Sequence, residues 1–534
     1  MNRLQEKLFE LMCEFDEICR NNNIKYYLCA GTALGALRHE GFIPWDDDVD
    51  INMSRNEYKK LEAIIDTELK EGRELVSKER YPEYRSPIPR YVRLDSSMFM
   101  RNHLSDGAPH GVFLDILILD PVPQSKEALL RWRKKHYIYC ELLEPQYVIA
   151  ARKNNWKDID FNMLREYVDR CESEGKEKVL KELENELFTI EENEATYYCM
   201  RFATVWVGMS RIEWYGDPRE VMFEGQLFYV PRKAEMELAL YYGHNWKYIP
   251  KERKTHLTLK LIDIHSGNCE REYFNIISKK QFETAVFEDN KALLEECELN
   301  IKTFYDKYEP YIHYIRHRID KDINEFGEEK LRNNPKLGYS VFKNYLDVQF
   351  MREFASNGKY ISLNCAQTEL LVHILFRMND VGRINALLNL RINSGETLSE
   401  DMQRLKKFAY DMIRLSNLRN LKAYSYAKKI IDIYETIYPE NILIVRGKAE
   451  IDLRYANTKE EYIKISKYIS KMLKIHTSDG ELIKYLGDAL AACGDKKGAN
   501  DMYMRAAKIT DNGLILLELS KKGIVAAEEK IHQI

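Results

Sequence analysis

Four acids crowd into one short stretch of the chain: Asp46, Asp47 and Asp48 in a row, then Asp50 after a single valine. If that stretch is extended, Asp48 and Asp50 lie two residues apart and project from one face, with roughly 6.6 Å between their Cα atoms. Like charges this close repel one another unless a cation or solvent screens them. Mg²⁺ takes oxygen ligands, keeps several waters and commonly bridges carboxylates to substrate phosphates, and Mn²⁺ accepts the same donors. A row of acids with no cysteine beside it suits either ion. An acidic run alone is usually a solvated loop, so its neighbours have to decide.

Upstream stands Gly31-Thr32. The glycine would let the backbone come close to a phosphate, and the Thr32 hydroxyl and the amides opening the next helix could donate to its oxygens. Arg38, farther along that helix, would neutralise developing phosphate charge. Downstream, Asp115 is the one charge inside the dense apolar run Gly111 to Leu119. An acid there is expensive to bury uncompensated, which predicts that it faces the same cation from a neighbouring strand. The expected chemistry is metal-dependent transfer of a phosphorus-bearing group. Asp48, Asp50 and Asp115 are its catalytic and metal-ligating acids, and Asp115 takes the proton of the attacking hydroxyl. Isolated histidines are more often structural than catalytic, so His39 and His256 are given no role.

Positioning these residues requires both strands and helices. Leu4, Leu8, Leu11, Phe15 and Ile18 recur at three- and four-residue spacing, which predicts an amphipathic helix running to about Arg20 and ended by Asn21-Asn22-Asn23. Ile24 to Ala30 reads as a strand, Gly31-Thr32 as a tight turn, Ala33 to His39 as a short helix and Val49 to Met53 as a second strand. Ser54 is placed to cap the helix that follows. The Gly111–Leu119 run reads as a buried central strand, residues 125–190 as helical, and Val221 to Pro231 as strand and turn.

Composition narrows the class. Lys plus Arg (81) nearly balance Asp plus Glu (85), and a net charge of −4 over 534 residues gives no electrostatic reason to expect nucleic acid. The ten cysteines form no Cys-x-x-Cys pair, which argues against a zinc ribbon or a disulfide framework and favours reduced thiols. No stretch approaches the roughly 20 apolar residues that span a bilayer. The expected location is the cytoplasm, the inner face of a membrane included.

Beyond about residue 278, Lys/Glu/Tyr-rich segments with helical periodicity run on. Ile483, Leu486, Gly487, Leu490, Ala499, Tyr503 and Ala506 stand at the spacings of a tetratricopeptide repeat, with weaker units around Ala427, Ile431 and Gly447. The predicted fold class is α+β, a mixed sheet with flanking helices followed by an all-α helical-repeat domain. Residues 1–275 form the catalytic domain, 276–345 a helical linker and 346–534 the repeats, which offer a surface for a protein partner.

The block Gly31 through Asp50 resembles the hallmark of the LicD family, Gly-Thr-x-Leu-Gly-Ala-x-Arg-His-x-Gly-Phe-Ile-Pro-Trp-Asp-x-Asp-x-Asp. Further similar segments are His110 to Ile116, Phe223-Glu224-Gly225 with Val230-Pro231, and Tyr242-Gly243 with Trp246 and Pro250. Ala33, Leu37, Leu117-Ile118 and Phe228-Tyr229 depart from the family pattern, and none of these removes an acid. The resemblance covers about the first 260 residues. It implies a nucleotidyltransferase-like fold and transfer of a phospho-alcohol, phosphocholine first, from a CDP-linked donor such as CDP-choline to a hydroxyl of a cell-surface glycan or lipid-linked glycan, with release of CMP. Fukutin-like relatives of the family use CDP-ribitol. The family's acidic motif falls on Asp46, Asp48 and Asp50, and Asp46 joins Gly31, Thr32, Arg38 and Glu224 as substrate-binding residues. For a choline head group, Trp206, Trp214, Tyr215 and Trp246 are the aromatic candidates. Two alternatives stay open: a nucleotidyltransferase using a nucleoside triphosphate, and a scaffold acting through the helical repeats.

Overall fold

The computed structural model describes residues 1–84, 86–100, 107–143, 161–200, 209–249, 260–264, 267, 314–349, 363–393 and 395–532. The chain divides into two compact units. The first takes Met1–Gly243 with the described residues of 251–303; the second takes His244–Pro250 and the described residues from 314 onward. The expected boundary at 275 and most of the expected linker lie outside the described residues.

In the first unit, helix α1 (Arg3–Asn21) opens with a capping box: Asn2 accepts from the Gln5 amide while the Gln5 side chain reaches back to the Asn2 amide. Its apolar stripe buries Leu8, Leu11, Phe15 and Ile18. The chain continues through β1 (Tyr27–Leu28), α2 (Ala30–His39), β2 (Asp50–Ser54), α3 (Arg55–Glu68), β3 (Arg73–Val76), β4 (Arg90–Arg93), β5 (Ser97–Met100) and β6 (Phe113–Pro121). After these come α4 (Lys126–Leu143), α5 (Phe161–Glu174), α6 (Lys176–Leu187), β7 (Tyr197–Met200), β8 (Ser210–Arg211), β9 (Arg219–Phe223), β10 (Gln226–Val230) and α7 (Ala234–Tyr242). Ser54 caps α3 by accepting from the Glu57 amide, as its position predicts.

The main sheet has the order β1-β2-β6-β4-β3, with β7 also on β6 and β8 on β7. β2 and β6 are parallel and the other pairs antiparallel. β6 is the central strand that its apolar run predicts. Because side chains alternate across a strand, Ile51, Met53, Leu114 and Ile116 fall on one face, where Phe15 of α1 meets Tyr91 with ring centroids 5.8 Å apart. Asp50, Asn52, Asp115 and Leu117 fall on the other. The architecture is the expected α+β sheet domain followed by helices.

Two local readings need correction. Strand β1 is only two residues long, and Gly31-Thr32 is the first turn of α2 rather than a separate turn. The sharp change of direction falls on Ala30, whose φ is +46°. Strand β2 starts at Asp50, so Asp48 precedes it.

The described part of the second unit is helical. Helices Gly480–Ala492 and Lys496–Ile509 lie side by side because Gly487 has no side chain: a Cβ there would meet the Tyr503 ring at 2.6 Å. Gly447 in helix Ile442–Tyr455 does the same against Ile431 of helix Tyr424–Tyr434, at 2.8 Å. Small residues at these two places let the helices approach closely.

Candidate active site

Asp50 opens β2 and pairs in register with Asp115 on the parallel neighbour β6, so the two acids stand side by side on one face of the sheet. From the other side β4 brings Arg90 opposite Asp115, and its Nε donates to Asp115 Oδ1 at 2.8 Å. Arg90 is 4% exposed and lies over the Phe113 ring, 3.9 Å from its centroid. Asp115 Oδ2 has no hydrogen-bond partner among the described residues. The burial problem posed by an acid in an apolar strand is therefore met first by an arginine, with one carboxylate oxygen left over.

Asp46, Asp47 and Asp48 form a second group, each offering one carboxylate oxygen within 4.8 Å of the other two. The segment is fixed by its backbone. Buried Gln5 of α1 donates through Nε2 to the Ile43 carbonyl at 3.3 Å and the Asp46 carbonyl at 3.1 Å. Gly31 admits the Asp46 carboxylate to the opening turn of α2, since a Cβ at Gly31 would sit 3.0 Å from Asp46 Oδ2. Thr32 joins the helix to the acid strand: its Oγ1 accepts from the Asp50 amide at 2.9 Å.

The buried Cys29 thiol locates the charges around it. Its pKa is driven well above the usual value, first by burial and then by the negative charges of Asp50, Glu237, Asp115 and Asp48. Asp48, although outside the strand, thus acts on the same point as Asp50 and Asp115. Arg38 is 2% exposed, and burial lowers its guanidinium to about 10 against the favourable influence of Tyr242 and Asp46. It stays a cation at neutral pH, beside the acidic segment.

Glu224 sits differently. Its φ is +47°, its amide donates to the Glu40 carbonyl at 2.8 Å, and its Oε1 accepts from the Phe42 amide at 3.0 Å. It latches the loop that leads into the acids. Gly41 leaves room for this latch, since a Cβ there would meet Glu224 Oε1 at 2.4 Å and push the carboxylate aside.

Behind the acids lies Glu237 of α7, fully buried. Asn52 Nδ2 donates to its Oε1 at 2.8 Å, and the hydroxyls of Tyr215 and Tyr241 donate to the same atom at 2.7 and 3.1 Å. Burial raises its pKa to about 7, opposed by these three donors. Of the aromatic candidates, Tyr215 is core: it is 2% exposed and edge-packed with Tyr27 and Tyr198, both at 5.3 Å. Trp206 lies outside the described residues, as does His256, and Trp246 belongs to the second unit.

Gln5, Arg90, Asn52 and Glu237 are the contributors that the sequence did not single out. Asn52 follows Asp50 by two and shares its face, a signal the alternation rule could have used. Gln5 and Arg90 carry no local signal, because only strand order and helix docking bring them to the acids.

Residues 23–124 match the family described as LicD/FKTN/FKRP, nucleotidyltransferase domain, so the chain carries a LicD-family domain. It is 26% identical over 275 residues to the lipopolysaccharide cholinephosphotransferase LicD of Haemophilus influenzae, covering 47% of this chain and 95% of that protein. Shorter matches are an uncharacterised protein of Rickettsia prowazekii, 45% identical over 58 residues, and one of Rickettsia typhi, 42% identical over 67 residues. These cover 11% and 12% of this chain, and 22% of each relative. No solved structure matches the chain.

Proposed function

We propose that the LicD-like unit is a metal-dependent phosphotransferase that moves a phospho-alcohol group, phosphocholine first, from a CDP-linked donor to a hydroxyl of a glycan or lipid-linked glycan, releasing CMP. The observation that carries this reading is the pairing of Asp50 with Asp115 on adjacent parallel strands, beside the clustered Asp46, Asp47 and Asp48. The similarity to a lipopolysaccharide cholinephosphotransferase supports the reaction class.

Carboxylate oxygens from Asp48, Asp50 and Asp115, with Asp46 and Asp47 adjoining, are the ligand type that Mg²⁺ or Mn²⁺ takes, although among the described residues the acids whose oxygens lie within 4.8 Å of one another are Asp46, Asp47 and Asp48. Bound there, such an ion would neutralise phosphate charge and hold the diphosphate in place. The remaining work falls to the chain itself. Arg90 orients the Asp115 carboxylate by taking Oδ1, which leaves Oδ2 to receive the acceptor hydroxyl's proton. Arg38 supplies positive charge from a buried position beside Asp46, where it needs little reorganisation to stabilise a phosphate. Thr32 fixes where Asp50 starts its strand. Gly31 and the opening turn of α2 form the edge against which a phosphate would rest.

Among the described residues no helix is long and apolar enough to cross a membrane. A cytoplasmic enzyme meeting its acceptor at the inner face of a membrane fits that observation, with the helical region as an accessory that engages the acceptor or a protein partner. The test is a donor screen with purified full chain and Mg²⁺, comparing CDP-choline, CDP-ethanolamine, CDP-ribitol and CDP-glycerol and reading CMP. One donor is expected to release CMP, with Asp48→Asn and Asp50→Asn reducing turnover by orders of magnitude at unchanged thermal stability. Pyrophosphate release from a nucleoside triphosphate with no CMP, or near-normal turnover in both variants, rejects the reading.

A further inference from the structure

The second unit contains a cavity of roughly 610 Å³, within the range of small-molecule sites, and none of the acids of the first unit lines it. Its wall carries nine ionisable side chains, five basic and four acidic, besides its tyrosines. The four acids are engaged. Glu450 accepts from Arg419 at 2.6 Å and from the Tyr485 hydroxyl at 3.0 Å. Glu481 is held by Tyr248, by Arg446 at 3.1 Å and by Arg419 at 3.5 Å. Asp488 and Glu518 both pair with Lys484, at 2.8 and 2.7 Å.

Lys247 is the exception. It is 5% exposed, so its amine is out of bulk water, yet its one hydrogen bond among the described residues runs to Asn420 Oδ1 at a long 3.4 Å. Asn420 Nδ2 is itself a buried donor without an acceptor among the described residues. Two side chains on the same wall thus carry surplus donors, while each carboxylate on that wall is already engaged among the described residues. An unpaired buried ammonium is costly, and so is a buried donor left unsatisfied. Consistent with that tension, burial lowers the Lys247 amine to about 8, with Glu481 and Glu450 raising it and Arg419 and Arg446 lowering it further. Leu453, Leu514 and Ile515 supply an apolar side to the cavity.

We propose that this cavity binds a small organic monoanion, its oxyanion accepting from Lys247 and Asn420 and its apolar body lying along Leu453, Leu514 and Ile515. Among the described residues Lys247 is the one buried base on this wall without a carboxylate partner, Lys422 and Arg454 being exposed, so one negative charge is its complement, and the volume exceeds what an inorganic ion needs. The chemistry is shared by an organic carboxylate and a phosphodiester.

The experiment measures binding of hexanoate, hexanamide, diethyl phosphate and inorganic phosphate to the full chain at millimolar concentration, by titration calorimetry and thermal shift. Hexanoate or diethyl phosphate is expected to bind, and which of them does so names the source; hexanamide is expected to be silent. Lys247→Met should weaken binding at least about tenfold, the effect of losing one charged buried hydrogen bond. Asn420→Asp places an internal carboxylate beside the amine and should likewise abolish the response, so the inference does not rest on one variant's folding. Equal binding of hexanamide, silence of both organic anions, a response to inorganic phosphate alone, or wild-type binding by folded Lys247→Met overturns it.

Discussion

Replacing Glu237 with glutamine separates two accounts of the core beneath the acids. The carboxyl is fully buried, and burial carries its pKa from the ordinary 4.5 to about 7. Glu237 Oε2 and Asn52 Oδ1 are both buried without a donor among the described residues, and a proton on the carboxyl supplies one. For an acid whose folded pKa is raised, the folded state holds more protons than the unfolded state between the two values. Stability therefore falls as pH climbs from about 4.5 to 7 and is flat above that window. At 1.36 kcal/mol per pH unit the loss amounts to about 3 kcal/mol at pH 8, an upper figure because the protein relaxes around a buried charge. Glutamine keeps an acceptor for Asn52, Tyr215 and Tyr241, adds a donor and cannot ionise. Hydrogen-exchange mass spectrometry on peptides covering β2 and α7, at pH 5 and pH 8, reads the local opening free energy. Wild-type protein should lose protection between the two pH values once intrinsic exchange is corrected, by up to about a hundredfold, while Glu237→Gln should not. Identical pH dependence in both proteins would refute the argument. So would a large loss of protection in the variant at both pH values, since that would make the ionised carboxylate the group that holds Asn52.

Four further substitutions test individual supports. Ala30→Gly should raise the first unit's stability by about 1 kcal/mol, because alanine pays to hold φ at +46°, and turnover should be unchanged; a fall in melting temperature would contradict the strain. Gly31→Ala should reduce CMP release tenfold or more with little change in melting temperature, as its Cβ pushes Asp46 from the start of α2. Asp120 is fully buried and accepts from Arg55 Nη2 at 2.8 Å, so Asp120→Ala should cost about 3–5 kcal/mol in urea unfolding by leaving the guanidinium without its partner. Gly111→Ala would set a Cβ 1.6 Å from the Arg93 carbonyl oxygen and should cost about 3 kcal/mol or more, seen as loss of soluble protein or a lowered melting temperature.

What the sequence disclosed and what it hid follow one physical division. The acids were legible because their message is local: repulsion among Asp46, Asp47, Asp48 and Asp50, and the expense of Asp115 in an apolar strand, can be judged from immediate neighbours. The sheet and its central strand were legible for the same reason, since alternation and apolar runs are short-range patterns. The partners that answer those costs come from elsewhere. Arg90 reaches Asp115 only through the β4–β6 register, and Gln5 reaches the Asp46 backbone only when α1 docks.

The misread turn belongs to the second kind. Glycine is the residue that local rules place at a left-handed bend, yet the bend falls on Ala30, one position before Gly31. Two distant contacts explain the displacement. The Thr32 hydroxyl must face the Asp50 amide, and the bare Cα of Gly31 must admit Asp46, which requires both residues to lie already inside the helix. The glycine is thus used for close approach rather than for φ, and the strain moves to its neighbour. A site built this way stores its cost in the backbone that brings the acids together. Relaxing Ala30 while keeping Gly31 should therefore leave catalysis intact, whereas filling Gly31 should harm it even though the fold survives.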